Sequence, residues 1–171
     1  MLEDFFKDFN KQDYWKMNKN TSIHINIGLD KNVEWNIAKG IILLKDFKEG
    51  DTPFVYRDIE NREETAYTKS LYKIIEKHFS ENKFEKFDRN KIEDSINSKL
   101  VESFTRYGKK AFAFNISRIM DFGYVEFRYV GGEINEKIMI DKLKYFCYII
   151  FLMTSDWKEK EYIKKLYKIA M

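Results

Sequence analysis

The clearest pattern in the chain is a strict alternation of β-branched and polar residues over 21–28, TSIHINIG. A period of two is typical of a strand with one apolar face and one polar face. The segments 111–117 and 123–130 alternate in the same way. Only residues 118–122 separate them, a linker short enough to join two antiparallel strands.

Apolar residues at helical spacing predict further elements between and after these strands. The predicted helices cover about 2–17, 33–47, 64–79, 90–107, 136–153 and 156–169. Asp30 or Asn32 is placed to cap the start of the helix over 33–47. Gly108 is placed to end the helix over 90–107. The expected buried stripe of the helix over 136–153 is Leu143, Phe146, Cys147, Ile150 and Phe151.

Interleaved strands and helices of this kind predict an α+β fold, in which a mostly antiparallel sheet has its helices packed on one face. A length of 171 residues fits a single domain over 1–171, with 1–19 as an N-terminal extension before the first strand.

Composition narrows the class of protein. The chain is 44% hydrophobic and 35% charged, which is typical of a globular domain and not of a disordered one. A net charge of +3 is too small to indicate a nucleic-acid binder. The single cysteine, Cys147, excludes an internal disulfide and favours a reducing compartment. With no signal-peptide pattern and no apolar run long enough for a membrane span, we expect a cytoplasmic protein.

The polar faces of the three predicted strands carry the candidate chemistry. They present His24, Asn26, Asn115, Glu126 and Arg128. If the apolar faces share one core, these five side chains lie together on the opposite face of the sheet. An imidazole, a carboxylate and a guanidinium suit Mg²⁺ and phosphate. The alternative is an ordinary solvated sheet face with a surface ion pair.

Three segments resemble a known family. SIHINIG (22–28), followed by a helix, resembles the "S/G-h-H-h-H-h" strand of the putative amidoligases, which are carboxylate–amine ligases of the glutamine synthetase fold. FAFN (112–115) and YVEFRYVGG (124–132) are similar to the family's "hN…T-h-E-F-R-h-h-G" signature. The order and approximate spacing agree over about 20–155.

The resemblance implies a glutamine synthetase catalytic-domain-like fold and an ATP- and Mg²⁺-dependent reaction. A carboxylate is phosphorylated to an acyl phosphate, which an amine then attacks to give an amide. His24 and Glu126 correspond to the Mg²⁺ ligands, and Arg128 to a residue that contacts phosphate. The remaining positions that the resemblance assigns are Arg57 at the substrate or phosphate, Arg62 as its alternative, and Asn115 and Asn26 in the nucleotide and substrate pocket.

The chain departs from the family pattern at two points. The family has an upstream strand with a Glu-x-Glu pair, whereas Glu3 is the sole glutamate among the first twenty residues here. The second His of the His-x-His pattern is Asn26. We therefore expect either a truncated or split domain whose missing glutamates come from a partner chain or a second copy, or a degenerate relative that binds without catalysis.

Two other functions compete with the ligase hypothesis. One is a non-enzymatic interaction protein, of phage or mobile-element origin, that binds a protein partner. Its aromatic surface would be formed by Trp15, Trp35, Tyr56 and Tyr129. The other is weak nucleic-acid binding by the Lys-rich terminal helix, which the mild net charge disfavours.

Overall fold

A computed structural model describes residues 24–30, 32–44, 70–108, 111–112, 114–128 and 136–171. Its elements in chain order are β1 (Ile25–Gly28), α1 (Ile37–Leu44), α2 (Leu71–Glu81), α3 (Arg89–Tyr107), β2 (Phe114–Asn115), α4 (Ile119–Phe122), β3 (Tyr124–Phe127), α5 (Glu136–Thr154) and α6 (Glu159–Ala170). The described part of the chain is therefore α+β, as predicted. None of its helices is both long and apolar enough to cross a membrane.

The three strands form one antiparallel sheet in the order β1-β3-β2. β2 has two residues, so the prediction of a strand over 111–117 is wrong in length. The strand stops because the Ser117 N–H bonds the Asn115 side chain (3.1 Å) instead of a neighbouring strand. Residues 118–122, predicted as a linker, contain α4, and Gly123 at φ 67° ends that helix in the left-handed region.

Helix ends follow local hydrogen bonding. The cap of α1 is Asn36, whose Oδ1 accepts from the Lys39 N–H at 2.8 Å. The prediction of Asp30 or Asn32 as the cap is wrong, because the Asp30 carboxylate accepts from the Asn32 N–H in a separate turn. At α3 the predicted end is confirmed, since Gly108 follows its last residue; its start is capped by Asp88, whose side chain accepts from the Lys91 N–H.

Aromatic stacking joins the sheet to the helices. The Phe114 and Phe127 rings are stacked with centroids 4.9 Å apart, and Phe127 stacks on Phe146 of α5 at 4.1 Å. Phe104 of α3 meets Phe112 edge to face at 4.9 Å. These contacts place the apolar side of the sheet under α3 and α5.

The buried stripe of α5 differs from the expectation. Phe146 is buried, but Cys147 is exposed and Phe151 is 48% exposed. The buried neighbours of Phe146 are Tyr145, Ile149, Leu152 and Met153. Residues 145–153 are all apolar or aromatic, so periodicity alone does not choose a face, and contact with the sheet and α1 chooses it instead.

Phe146→Ala should lower the free energy of unfolding by about 3–5 kcal/mol, because it opens a cavity beneath Phe127. Phe151→Ala, on the exposed side of the same helix, is the matched control and should change it by about 0.5 kcal/mol or less. Urea unfolding measures both. Equal losses would contradict the face assignment.

Gly40 permits the close approach of α1 and α5, since an added Cβ would lie 2.5 Å from Met153 Cγ. Alanine normally stabilises a helix interior over glycine by about 0.5–1 kcal/mol, but here we expect Gly40→Ala to destabilise by about 1–3 kcal/mol. In a Met153→Ala background the same change should cost less. A cost that is the same in both backgrounds, measured by denaturant unfolding, would show that this contact does not matter.

Candidate functional site on the polar sheet face

Glu126 lies in the middle of the central strand β3, in register with Asn26 on β1 and Asn115 on β2. Directly paired residues present their side chains on the same face of a sheet. His24, just before β1, reaches the same carboxylate, with its Nδ1 2.9 Å from Glu126 Oε1. The structure therefore brings these four side chains together, as the alternation predicted.

The Glu126 carboxylate is held on both oxygens. Oε1 faces His24, and Oε2 accepts from Asn115 Nδ2 at 2.9 Å. The orientation of the Asn115 amide follows from Ser117, whose backbone N–H is an obligate donor and lies 3.1 Å from Asn115 Oδ1. The Ser117 hydroxyl donates to the same oxygen at 2.6 Å. Asn115 therefore has its NH₂ group toward the carboxylate.

Exposure rises along this row of side chains. Asn115 is fully buried, the Glu126 side chain is 17% exposed and His24 is 36% exposed. A solvated sheet face would show all of its polar side chains to water. This face instead has a buried, hydrogen-bonded end at Asn115 and an accessible end at His24.

The arginines of the expected site fall in different places. Arg128 is half-buried and directly follows β3, two residues beyond Glu126. Arg57 and Arg62 lie outside the described residues, as do Trp15, Tyr56 and Tyr129 of the alternative aromatic surface.

Glu126 and His24 are the groups on this face that could hold a cation. Their separation of 2.9 Å between His24 Nδ1 and Glu126 Oε1 is that of a hydrogen bond, which a cation would replace if both atoms held it. In the parts of the chain that the structure describes, no three His, Cys, Asp or Glu side chains form a metal-binding group. Mg²⁺ in proteins is commonly held by one or two carboxylates together with substrate phosphates and water, and Glu126 is the carboxylate that this face offers.

A second polar cluster, which the sequence analysis missed, lies where α1, α3 and α6 meet. Lys39 is only 1% exposed, and its ammonium donates to the Ser155 carbonyl at 2.6 Å and contacts Glu159 at 2.8 Å. The Arg89 guanidinium bridges Glu159 (2.7 Å) and Glu93 (3.0 Å). These residues border a cleft of about 540 Å³.

Glu93 is the centre of this helix-junction cluster. One of its oxygens accepts from the Tyr162 hydroxyl at 2.6 Å and from the Asn36 amide at 3.1 Å. Burial alone would raise the pKa of Glu93, but the hydrogen bonds from Tyr162, Asn36 and Arg89 outweigh it and lower that pKa below its usual value. The Arg89–Glu93 spacing of four residues was the available sequence signal. The charges of the helix-junction cluster are paired with one another. We therefore interpret this cluster as a set of contacts that stabilises the packing of α1, α3 and α6.

Glu93→Gln should lower the free energy of unfolding at pH 7 by about 1–3 kcal/mol, because it removes the negative charge that pairs with Arg89 and strengthens the hydrogen bonds from Tyr162 and Asn36. The folded-state pKa is lowered, so the carboxylate stabilises the fold above its unfolded pKa of 4.5 and loses that effect as the pH falls through the folded value. The difference in the free energy of unfolding between wild type and Glu93→Gln should therefore become smaller at acidic pH.

Urea unfolding between pH 7 and pH 3 checks this, with Glu85→Gln in the exposed segment between α2 and α3 as the control. If the difference in the free energy of unfolding stays constant between pH 7 and pH 3, the charge of Glu93 does not stabilise the packing of the helices.

Comparison with family models finds no match to this chain, and comparisons with curated proteins and with solved structures find none either. The class that fold and site define is an α+β domain with a carboxylate–imidazole–amide row on one sheet face. The resemblance to the amidoligases stays a prediction.

Proposed function

We propose that this chain is an amidoligase-like domain of the glutamine synthetase type that binds ATP with Mg²⁺ on the polar sheet face. The observation that supports it best is the Glu126 carboxylate, fixed on both oxygens between Asn115 and His24. A carboxylate held in one orientation, beside an imidazole and near an arginine, suits a cation that bridges phosphate oxygens.

Each residue of the face has a distinct task in this proposal. Glu126 and His24 hold Mg²⁺, which neutralises phosphate charge when it is bound. Arg128 follows the strand and stabilises the charge that develops on the transferred phosphoryl group. Asn26 is exposed in register with Glu126 and offers its amide to the ligand. Arg57, with Arg62 as the alternative, contacts substrate or phosphate.

The reaction proceeds in two balanced steps. An oxygen of the substrate carboxylate attacks the γ-phosphorus, and the bond to ADP breaks to give an acyl phosphate. The amine nitrogen then attacks the acyl carbon, the carbon–oxygen bond to phosphate breaks, and the amine loses a proton. Both steps need a neutralised phosphate, which is why a cation and an arginine are required close together.

The domain is incomplete by this proposal. A His–Glu pair holds one cation with few protein ligands, and the family's Glu-x-Glu strand has no counterpart before His24. We propose that a partner chain or a second copy supplies further carboxylates. Binding of nucleotide by this chain alone is then separable from turnover.

A thermal-shift titration with ATP and Mg²⁺ tests the proposal. Ligand at about 100 times its Kd adds about 2.7 kcal/mol, which for a chain of this size raises the midpoint by roughly 5–10 °C. We expect this shift in wild type only when Mg²⁺ is present, and we expect Glu126→Gln and Arg128→Ala to abolish it. Glu85→Gln, away from the sheet, should retain it.

A shift that survives in both Glu126→Gln and Arg128→Ala would move the nucleotide to another surface. No shift in wild type, even with Mg²⁺, would reject the ligase proposal and favour the non-enzymatic interaction protein, for which complex formation on gel filtration without nucleotide is the direct assay.

A further inference from the structure

A hydrogen-bonded series of four residues crosses all three strands. Ser117 donates to Asn115, Asn115 donates to Glu126, and Glu126 contacts His24. We propose that Asn115 is a positioning residue, which does not touch the ligand but fixes the orientation of Glu126 toward the cation. This inference rests on the proposed function, and it assigns Asn115 to a different task from the pocket-lining one that the resemblance implies.

The position demands an asparagine for a physical reason. The side chain must accept from the Ser117 N–H and donate to Glu126 Oε2 at the same time. Only an amide does both at this length. An aspartate would turn an acceptor toward the carboxylate, and an apolar side chain would leave Oε2 without its donor. Asn115 is 0% exposed, so bulk water does not replace the lost bond.

At the Ser117 end, this hydrogen-bonded series is held by a backbone N–H group. The Ser117 N–H belongs to the turn that enters α4, where the Ile119 N–H also bonds the Ile116 carbonyl at 3.1 Å. The turn therefore fixes the orientation of the buried Asn115 amide, and that amide fixes the orientation of the Glu126 carboxylate beside His24. Because Asn115 holds Oε2, a bound cation would use Oε1, where it would replace the hydrogen bond from His24.

The first measurement is Mg²⁺ affinity at saturating ATP, by calorimetric or thermal-shift titration of the full chain. Loss of an outer partner of a metal ligand typically weakens metal binding by about 10–100-fold, and we expect that loss in Asn115→Leu. In Ser117→Ala the backbone bond to Asn115 remains, so we expect a smaller loss of up to about five-fold. Ser103→Ala, a buried polar position in α3, is the control for a general loss of stability and should leave the affinity unchanged.

The second measurement needs no nucleotide. ¹⁵N NMR at pH 8.5 reports which ring nitrogen of His24 carries the proton, since the hydrogen bond to Glu126 holds it on Nδ1. In Asn115→Leu the loosened carboxylate should increase the share of the Nε2–H form. If Asn115→Leu does not fold, the same two readouts on Ser117→Ala decide the matter.

The two measurements separate the two proposals. A wild type that binds no Mg²⁺–ATP, together with a shifted tautomer in the variant, rejects the proposed function and supports the positioning of Glu126 by Asn115. A wild type that binds, together with unchanged Mg²⁺ affinity and unchanged tautomer in the variants, overturns the positioning role and leaves the proposed function standing.

Discussion

The stacked rings of Phe114, Phe127 and Phe146 determine which side of the sheet faces the core, and the candidate site depends on that choice. Side chains alternate along a strand, so burial of Phe127 under α5 turns Glu126 to the opposite face. Burial of Phe114 does the same for Asn115. A slip of one residue would place a carboxylate among phenylalanines, at a cost that no partner there offsets. Apolar packing thus positions the polar chemistry.

The two polar clusters of the described structure differ in whether their polar groups are accessible to a ligand. In the helix-junction cluster, Glu93, Arg89 and Lys39 are bonded to one another or to backbone, and the result is a clamp between helices. On the sheet face the hydrogen bonds converge on Glu126, from buried Asn115 on one side and from His24 at the accessible end on the other. An ordered series that ends near solvent can present a ligand-binding atom, whereas a closed network mainly stabilises the fold.

The glutamine synthetase-like interpretation combines two properties of this face. The carboxylate of Glu126 and the imidazole of His24 are in contact at 2.9 Å, and Arg128 directly follows the strand that carries Glu126. The upstream Glu-x-Glu pair of the amidoligase pattern has no match among residues 1–20. Under the proposed function, a domain that binds nucleotide and takes its remaining carboxylates from another chain would account for both features.

The sequence by itself determined the polar side of each strand and the long helices. Alternation with a period of two places His24 and Asn26 on one face of their strand and Glu126 opposite Phe127 on another, and the capping signals of α3 are local. The tertiary structure decided which face of α5 is buried and which distant polar residues are in contact, since the local sequence pattern does not specify either. The face of α5 came from its contact with the sheet, because residues 145–153 are uniformly apolar or aromatic. The bond between Asn115 and Glu126, and the burial of Lys39 beside Glu159, join residues distant in the chain, and only the packed fold brings such groups together.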